Sequence, residues 1–144
     1  QQWAAKTHQN DQSVKMVTFE DWQQVLPQTD WLVLACPLTE KTRQLVNAHA
    51  LSLLPQGSHV INVARGEVVD EPALIDALQS GHLGGAFLDV FAHEPLPVTS
   101  ALWTLPHVMV TPHAAGHSDG NEQRVGQMFL DNLRDWVAQN SLPR

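Results

Sequence analysis

The chain has 144 residues, of which 43% are hydrophobic, so it is long enough for one domain with a substantial core. Its formal net charge is -7, and it has only eight Lys and Arg residues, which argues against nucleic-acid and anionic-membrane partners. Its apolar runs are far shorter than the ~20 residues that span a bilayer, and no secretory signal opens it. Cys36 is the single cysteine, which excludes an internal disulfide, and we expect a cytoplasmic protein.

The beginning of the chain changes from polar to apolar. Residues 1–12 are polar and are predicted to be irregular, and a short strand is predicted at Val14–Val17. Thr18 then has the position of an N-cap for a short helix that Pro27 ends. The apolar residues of that helix recur at spacings of three and four: Phe19, Trp22, Val25 and Leu26.

Strands and helices alternate along the rest of the chain. Apolar segments predict four strands, the first two with the pattern of burial on both faces: Asp30–Cys36, His59–Val63, Gly84–Phe91 and Val108–Val110. Between them, the apolar spacing and the helix-ending residues Pro55, Gly57 and Gly81 predict two helices: Asn47–Leu54 and Glu71–Gln79. This alternation predicts an α/β fold with a mainly parallel sheet and helices on both faces.

A long helix is predicted at the end of the chain, over residues 118–140, with Ser118 or Asp119 as its cap. Its apolar residues fall on one stripe: Val125, Met128, Phe129, Leu133, Trp136 and Val137.

Three polar groups follow three successive predicted strands. They are Arg65, Glu94 (with Asp89 shortly before it) and His113. Because right-handed crossovers bring these strand ends to one edge of a parallel sheet, the three side chains can meet there. A guanidinium can hold a carboxylate or polarise a carbonyl, and an imidazole oriented by a carboxylate can transfer a proton. With a hydride carrier, this set could interconvert 2-hydroxy acids and 2-keto acids.

Each of these residues also has a simpler interpretation. Arg65 could be a surface residue of a βα loop, Glu94 an ordinary loop carboxylate and Asp89 the cap of a strand end. His113 is one of eight histidines, most of which are expected to have no catalytic role. The chain has neither a cysteine pair nor a Glu-x-x-His motif, and we predict no metal site.

Five motifs in this order resemble the signatures of the D-isomer-specific 2-hydroxyacid dehydrogenases, and most closely their glyoxylate/hydroxypyruvate reductase branch. The resemblance covers roughly residues 14–140. The motifs are Cys36-Pro37-Leu38-Thr39 with Thr42, Asn62-Val63-Ala64-Arg65-Gly66, Leu88-Asp89-Val90-Phe91, His93-Glu94-Pro95-Leu96-Pro97 and Thr111-Pro112-His113-Ala114-Ala115-Gly116.

The resemblance implies a role for each matching residue. Arg65 would bind the substrate carboxylate and carbonyl, His113 would be the general acid and base, and Glu94 would pair with His113. Asp89 would contact the nicotinamide carboxamide. The other residues expected to line NAD or NADP are Pro37, Thr42, Val63, Ala64 and the loop from His113 to Gly116.

The sequence departs from the family at one motif. No Gly-x-Gly-x-x-Gly, whose backbone amides hold the pyrophosphate, occurs in it. We therefore expect an incomplete Rossmann-like fold without its first βα unit: a polar segment (1–12), a partial dinucleotide-binding domain (13–117) and the long helix (118–140).

Two main hypotheses follow from this departure, beside a third, a regulatory module that senses cofactor on the same scaffold, against which the retained acid/base residues argue. In the first, the chain is part of an NAD(P)-dependent oxidoreductase for small 2-keto and D-2-hydroxy acids, and alone it binds its cofactor weakly and turns over poorly. In the second, it is a truncated, non-catalytic remnant that forms a dimer or another homo-oligomer through an uncovered sheet edge and helix face.

Overall fold

The computed structural model of this chain describes residues 16–140. This part contains four strands, β1 (Trp31–Leu34), β2 (His59–Asn62), β3 (Gly85–Leu88) and β4 (Val108–Val110). It also contains three α-helices, α1 (Ala48–Leu53), α2 (Glu71–Gln79) and α3 (Asn121–Asn140). Short 3₁₀ segments lie at Trp22–Gln28, Gly66–Val68 and Ala101–Trp103.

Local side-chain chemistry sets the ends of the two inner helices. The side chain of Asn47 accepts a hydrogen bond from the amide of Ala50 at the start of α1, and Asp70 accepts one from Ala73 at the start of α2. Both are N-caps that satisfy first-turn amides. After α2, Gly81 adopts a φ of 72°, a left-handed conformation that suits glycine at a helix end. The predicted bounds of α2 are confirmed.

The sheet is parallel, as predicted, and its strands lie in the order β1-β2-β3-β4. Because each strand is added on the same side of the previous one, right-handed crossovers place their connecting segments on one face. Side chains of both elements form one core on that face: Leu34, Val60, Ala86 and Leu88 from the strands, Ala50, Leu51, Leu74 and Leu78 from the helices. The predicted α/β fold with a parallel sheet and helices is confirmed, and in residues 16–140 the helices α1 and α2 contribute to the core on this face.

The opposite face of the sheet, which we call the open face, is made of Trp31, Val33, Ile61, Phe87 and Met109. The last four form one row across the sheet, since each is in register with the next. Val33 is 57% exposed, Trp31 and Met109 are similarly exposed, and Ile61 and Phe87 are half-buried. The prediction that the first two strands are buried on both faces is therefore wrong, because their side chains on the open face are exposed or only half-buried.

Two predictions near the start of the chain differ from the structure. Residues 22–28 form a 3₁₀ helix that includes Pro27, in place of the predicted α-helix. Thr18 donates its hydroxyl hydrogen to the Asp21 carboxylate instead of serving as the N-cap. Of the strand predicted at Val14–Val17, residues 14 and 15 lie outside the described part, and residues 16 and 17 are not in a strand.

The long helix α3 begins at Asn121, after the turn at Gly120, a little later than predicted. Every side chain described in it is exposed, including those of Val125, Phe129 and Leu133 on the predicted stripe. In the described part of the chain, no helix combines the length and the hydropathy that crossing a membrane requires.

Candidate functional site

The carboxyl ends of β2, β3 and β4 bring the predicted polar groups to one edge of the sheet. Nδ1 of His113 lies 2.7 Å from Oε2 of Glu94. The positive charge of Arg65 is near enough to Glu94 to contribute to the lowering of its pKa. The structure thus places an arginine, a carboxylate and an imidazole on a common rim, although they are separated in sequence by 29 and 19 residues.

Glu94 is held as a carboxylate by its surroundings. Its Oε1 accepts a hydrogen bond from the backbone amide of Phe91 at 3.0 Å, while Oε2 faces His113. Burial alone would raise the pKa of Glu94, but these two hydrogen bonds and the charges of His113 and Arg65 outweigh burial and lower it. An ionised carboxylate only accepts hydrogen bonds, so Nδ1 of His113 is the donor and Nε2 is the nitrogen available for chemistry.

The loop that carries His113 is fixed by Asp89, whose side chain is only 2% exposed. The Asp89 carboxylate accepts hydrogen bonds from the hydroxyl of Thr111 and from the amides of Ala114 and Ala115. Burial would raise the pKa of Asp89, but these three bonds and the charge of His113 lower it. The suggested contact between Asp89 and a nicotinamide carboxamide stays a prediction. In this structure the Asp89 carboxylate binds the loop that carries His113.

The backbone of His113 itself is in the left-handed region, with a φ of 55°. This conformation costs a non-glycine residue about 1–2 kcal/mol. The bonds from Thr111, Ala114 and Ala115 to Asp89 hold the chain on both sides of His113 and offset that cost. His113 is 44% exposed, so its imidazole can be reached by a small molecule.

The turn that carries Arg65 is built on Asn62, the one polar side chain in β2's buried row. Its Nδ2 donates to the carbonyl of Arg65 and its Oδ1 accepts from the amide of Ala64, both at 3.0 Å. The guanidinium is exposed and donates to the carbonyl of Ala64 at 2.6 Å. Arg65 therefore has a fixed backbone and a side chain that solvent and solutes can reach.

Gly66 lets the Arg65 turn meet the Glu94 loop. A Cβ at this position would overlap the carbonyl group of Phe91 and the amide of Ala92. Only glycine allows two backbones to approach this closely. Gly66 stands in a motif of the sequence, but nothing there indicates this contact, because Phe91 lies 25 residues away along the chain.

The residues expected to line a cofactor fall into two groups. Pro37 and Thr42 line a groove of about 880 Å³ that runs beside β1, where the hydroxyl of Thr42 donates to the carbonyl of Pro37 at 2.7 Å. Val63, Ala64 and Gly116 do not line this groove. They follow the ends of β2 and β4, and a Cβ at Gly116 would meet nothing within 4 Å.

A second cavity, of about 690 Å³, has the Glu94–His113 pair on its wall. Its other walls are mainly apolar and include Phe91, Leu96 and Trp103, and the indole nitrogen of Trp103 donates to the carbonyl of Pro97 at 2.9 Å. Trp103 belongs to none of the motifs quoted from the sequence, and nothing there marked it as a residue of this wall.

The described residues contain no group of three or more His, Cys, Asp or Glu side chains that could hold a metal ion. His113 and His117 are four residues apart, a spacing that helical metal sites use. Residues 111–118 are not helical in this structure, so the spacing does not place the two rings on one helix face.

The parallel sheet and the polar groups at its carboxyl edge define an α/β domain of the dinucleotide-binding class. The family model for the D-isomer specific 2-hydroxyacid dehydrogenase NAD binding domain matches residues 2–115. The chain belongs to this family.

Relatives with known names and structures agree with this assignment. Glyoxylate/hydroxypyruvate reductase B of Serratia proteamaculans is 36% identical over 130 residues, which cover 90% of this chain and 40% of that protein. (S)-sulfolactate dehydrogenase of Chromohalobacter salexigens is 43% identical over 110 residues, covering 76% and 36%. The chain thus spans about two fifths of the length of these curated relatives.

Solved structures show the same fold. The NADPH-dependent glyoxylate/hydroxypyruvate reductase of Sinorhizobium meliloti, in complex with NADP and sulfate, superposes with a TM-score of 0.75 at 34% identity. That alignment covers 92% of this chain and 42% of the other. A D-isomer specific 2-hydroxyacid dehydrogenase from Xanthobacter autotrophicus Py2 gives 0.70 at 43% identity, covering 89% and 41%.

Proposed function

We propose that this chain supplies the proton-transfer and carboxylate-binding groups of an NAD(P)-dependent oxidoreductase that interconverts 2-keto acids and D-2-hydroxy acids of the glyoxylate/hydroxypyruvate type. The observation that carries the proposal is the 2.7 Å contact between His113 and Glu94 on the rim that also holds Arg65. The names of the relatives support the substrate class.

The residues divide the work of the reaction. Arg65 binds the substrate carboxylate through its guanidinium fork and polarises the adjacent carbonyl. His113 gives a proton from Nε2 to the carbonyl oxygen during reduction and takes it back from the hydroxyl during oxidation. Glu94 keeps Nδ1 protonated and the ring oriented. A bound nicotinamide cofactor would supply the hydride to the carbonyl carbon in reduction and would take it from the hydroxyl-bearing carbon in oxidation.

The residues present fit one side of such a cofactor. The groove beside Pro37 and Thr42 and the open space at Gly116 are both at the carboxyl ends of the strands, where dinucleotides bind parallel sheets. The glycine-rich phosphate cradle is absent from the 144 residues. We therefore propose that this chain alone binds NAD(H) or NADP(H) weakly and has low activity. We also propose that the enzyme acts in the cytoplasm.

An assay of NADPH or NADH oxidation with hydroxypyruvate or glyoxylate tests the proposed roles. At high protein concentration we expect a slow catalysed rate that His113→Gln lowers by about a hundredfold or to the background, and that Arg65→Gln lowers mainly through a higher KM. A wild-type rate equal to that of His113→Gln would contradict the proposal. Cofactor binding followed by tryptophan fluorescence tests the weak affinity, which micromolar binding would overturn.

A second function is supported by a separate observation. The open face and the apolar stripe of α3 leave Val33, Met109, Val125, Phe129 and Leu133 exposed. In this alternative the chain is a non-catalytic remnant that buries these surfaces by associating with copies of itself. Sedimentation velocity over a series of concentrations tests it: dimers that Phe129→Asp disrupts support this alternative, and a monomer at every concentration rejects it.

A further inference from the structure

Glu71 is a charged residue near the rim that the proposed reaction does not use. It is the first residue of α2, half-buried, and its Oε2 accepts a hydrogen bond from the backbone amide of Ala92 at 3.0 Å. The helix does not need this carboxylate as a cap, because Asp70 already accepts from the amide of Ala73. Glu71 thus reaches across 21 residues of sequence to the loop that carries Glu94.

That loop is held by consecutive amides. The amide of Phe91 donates to Glu94 itself, and the amide of the next residue, Ala92, donates to Glu71. The same backbone segment packs against Gly66 in the turn that carries Arg65. The path from β2 to α2 therefore contacts the Glu94 loop at two points, once through Gly66 and once through Glu71.

We propose that Glu71 is a positioning residue for the reaction assigned above, an inference that rests on the proposed function. By accepting from Ala92, it holds the Glu94 loop at the distance from which Glu94 can bind Nδ1 of His113. A carboxylate is suited to this because hydrogen bonds to an ionised acceptor are about twice as strong as neutral ones. Glu71 touches neither substrate nor cofactor in this scheme and acts only through Glu94.

Nuclear magnetic resonance on the whole 144-residue chain tests this assignment without substrate or cofactor. Two signals are followed: hydrogen exchange of the Ala92 amide, and the ring nitrogens of His113, whose shifts report which one carries the proton. Glu71→Ala removes the acceptor, and Glu71→Gln keeps an oxygen that can accept from Ala92. Asp76→Ala is the matched control, since it removes an exposed acidic residue from the same helix.

We expect Glu71→Ala to speed exchange of the Ala92 amide about tenfold and to move the His113 proton from Nδ1 toward Nε2. Glu71→Gln should restore both signals, and Asp76→Ala should leave both at the wild-type values. If Glu71→Ala does not fold, Glu71→Asp, which keeps the charge but shortens the reach, gives the same comparison.

An unchanged His113 proton position in Glu71→Ala or Glu71→Asp would overturn the positioning role. That result would leave the proposed function standing, because the measurement involves no turnover. Conversely, equal rates for wild type and His113→Gln in the activity assay would reject the proposed function. The hydrogen bond between Glu71 and Ala92 would not be affected by that result.

Discussion

The carboxyl edge of the sheet and its open face differ in the environment of their side chains. Near the edge the buried polar groups are paired: no buried side-chain nitrogen or oxygen of residues 16–140 lacks a hydrogen-bond partner. On the open face and along α3, large apolar side chains are exposed. Within residues 16–140, the buried polar side chains near the rim are therefore held by hydrogen bonds, whereas the apolar side chains of the open face and of α3 are held by few neighbours.

The largest expected effect is on the free energy of unfolding, where the core beneath α1 and α2 should differ from the open face. Leu74 of α2 is 2% exposed within the core, so Leu74→Ala should lower the free energy of unfolding by about 2–5 kcal/mol. Val33→Ala on the open face should change it by less than about 1 kcal/mol. Urea unfolding measures both values. Equal losses would mean that the open face is covered in solution, which would remove the contrast.

A smaller effect is expected where two backbones meet at the edge. Gly66→Ala would force the Arg65 turn away from Phe91 and Ala92, and should destabilise the chain by about 1–3 kcal/mol. Gly126→Ala is a control of opposite sign: nothing lies within 4 Å of a Cβ there, and in the interior of α3 the change should stabilise the helix by about 0.5–1 kcal/mol. Thermal unfolding followed by circular dichroism compares the two, and a neutral Gly66→Ala would contradict the close approach.

The smallest expected effect is on the stability of the fold at acidic pH. The pKa values of Asp89 and Glu94 are lowered in the folded chain from ordinary values of 3.8 and 4.5. Their stabilising contribution is therefore present above those values and is lost as the pH falls through the lowered pKa of each group. Urea midpoints measured from neutral pH down to acid should show a steeper decline for wild type than for Asp89→Asn. Parallel curves for the two proteins would mean that Asp89 is not held as a carboxylate.

The sequence was sufficient for the elements whose signals are local. Asp70, the proline after Glu71 and Gly81 define α2 without reference to the rest of the fold, and the apolar strands follow from their composition. The convergence of Arg65, Glu94 and His113 could also be inferred, because parallel strands end at a common edge.

What the sequence could not provide depends on contacts between distant residues. The exposure of Val33 depends on which strands are neighbours and on which face the crossovers lie. The hydrogen bonds that Asp89 accepts from Ala114 and Glu71 accepts from Ala92 link a side chain to a backbone amide, which any residue except proline can supply. The residue types in the sequence therefore do not identify such a partner.

The central claim, that Arg65 and the Glu94–His113 pair form one site for a 2-keto acid, is tested most directly by titration with oxamate, a 2-keto acid analogue. Nuclear magnetic resonance would follow the Nε signal of Arg65 and the ring signals of His113 in the same samples. We predict that both shift with one common dissociation constant and that Arg65→Gln abolishes the shift at His113. Shifts at only one residue, or two different constants, would contradict the account.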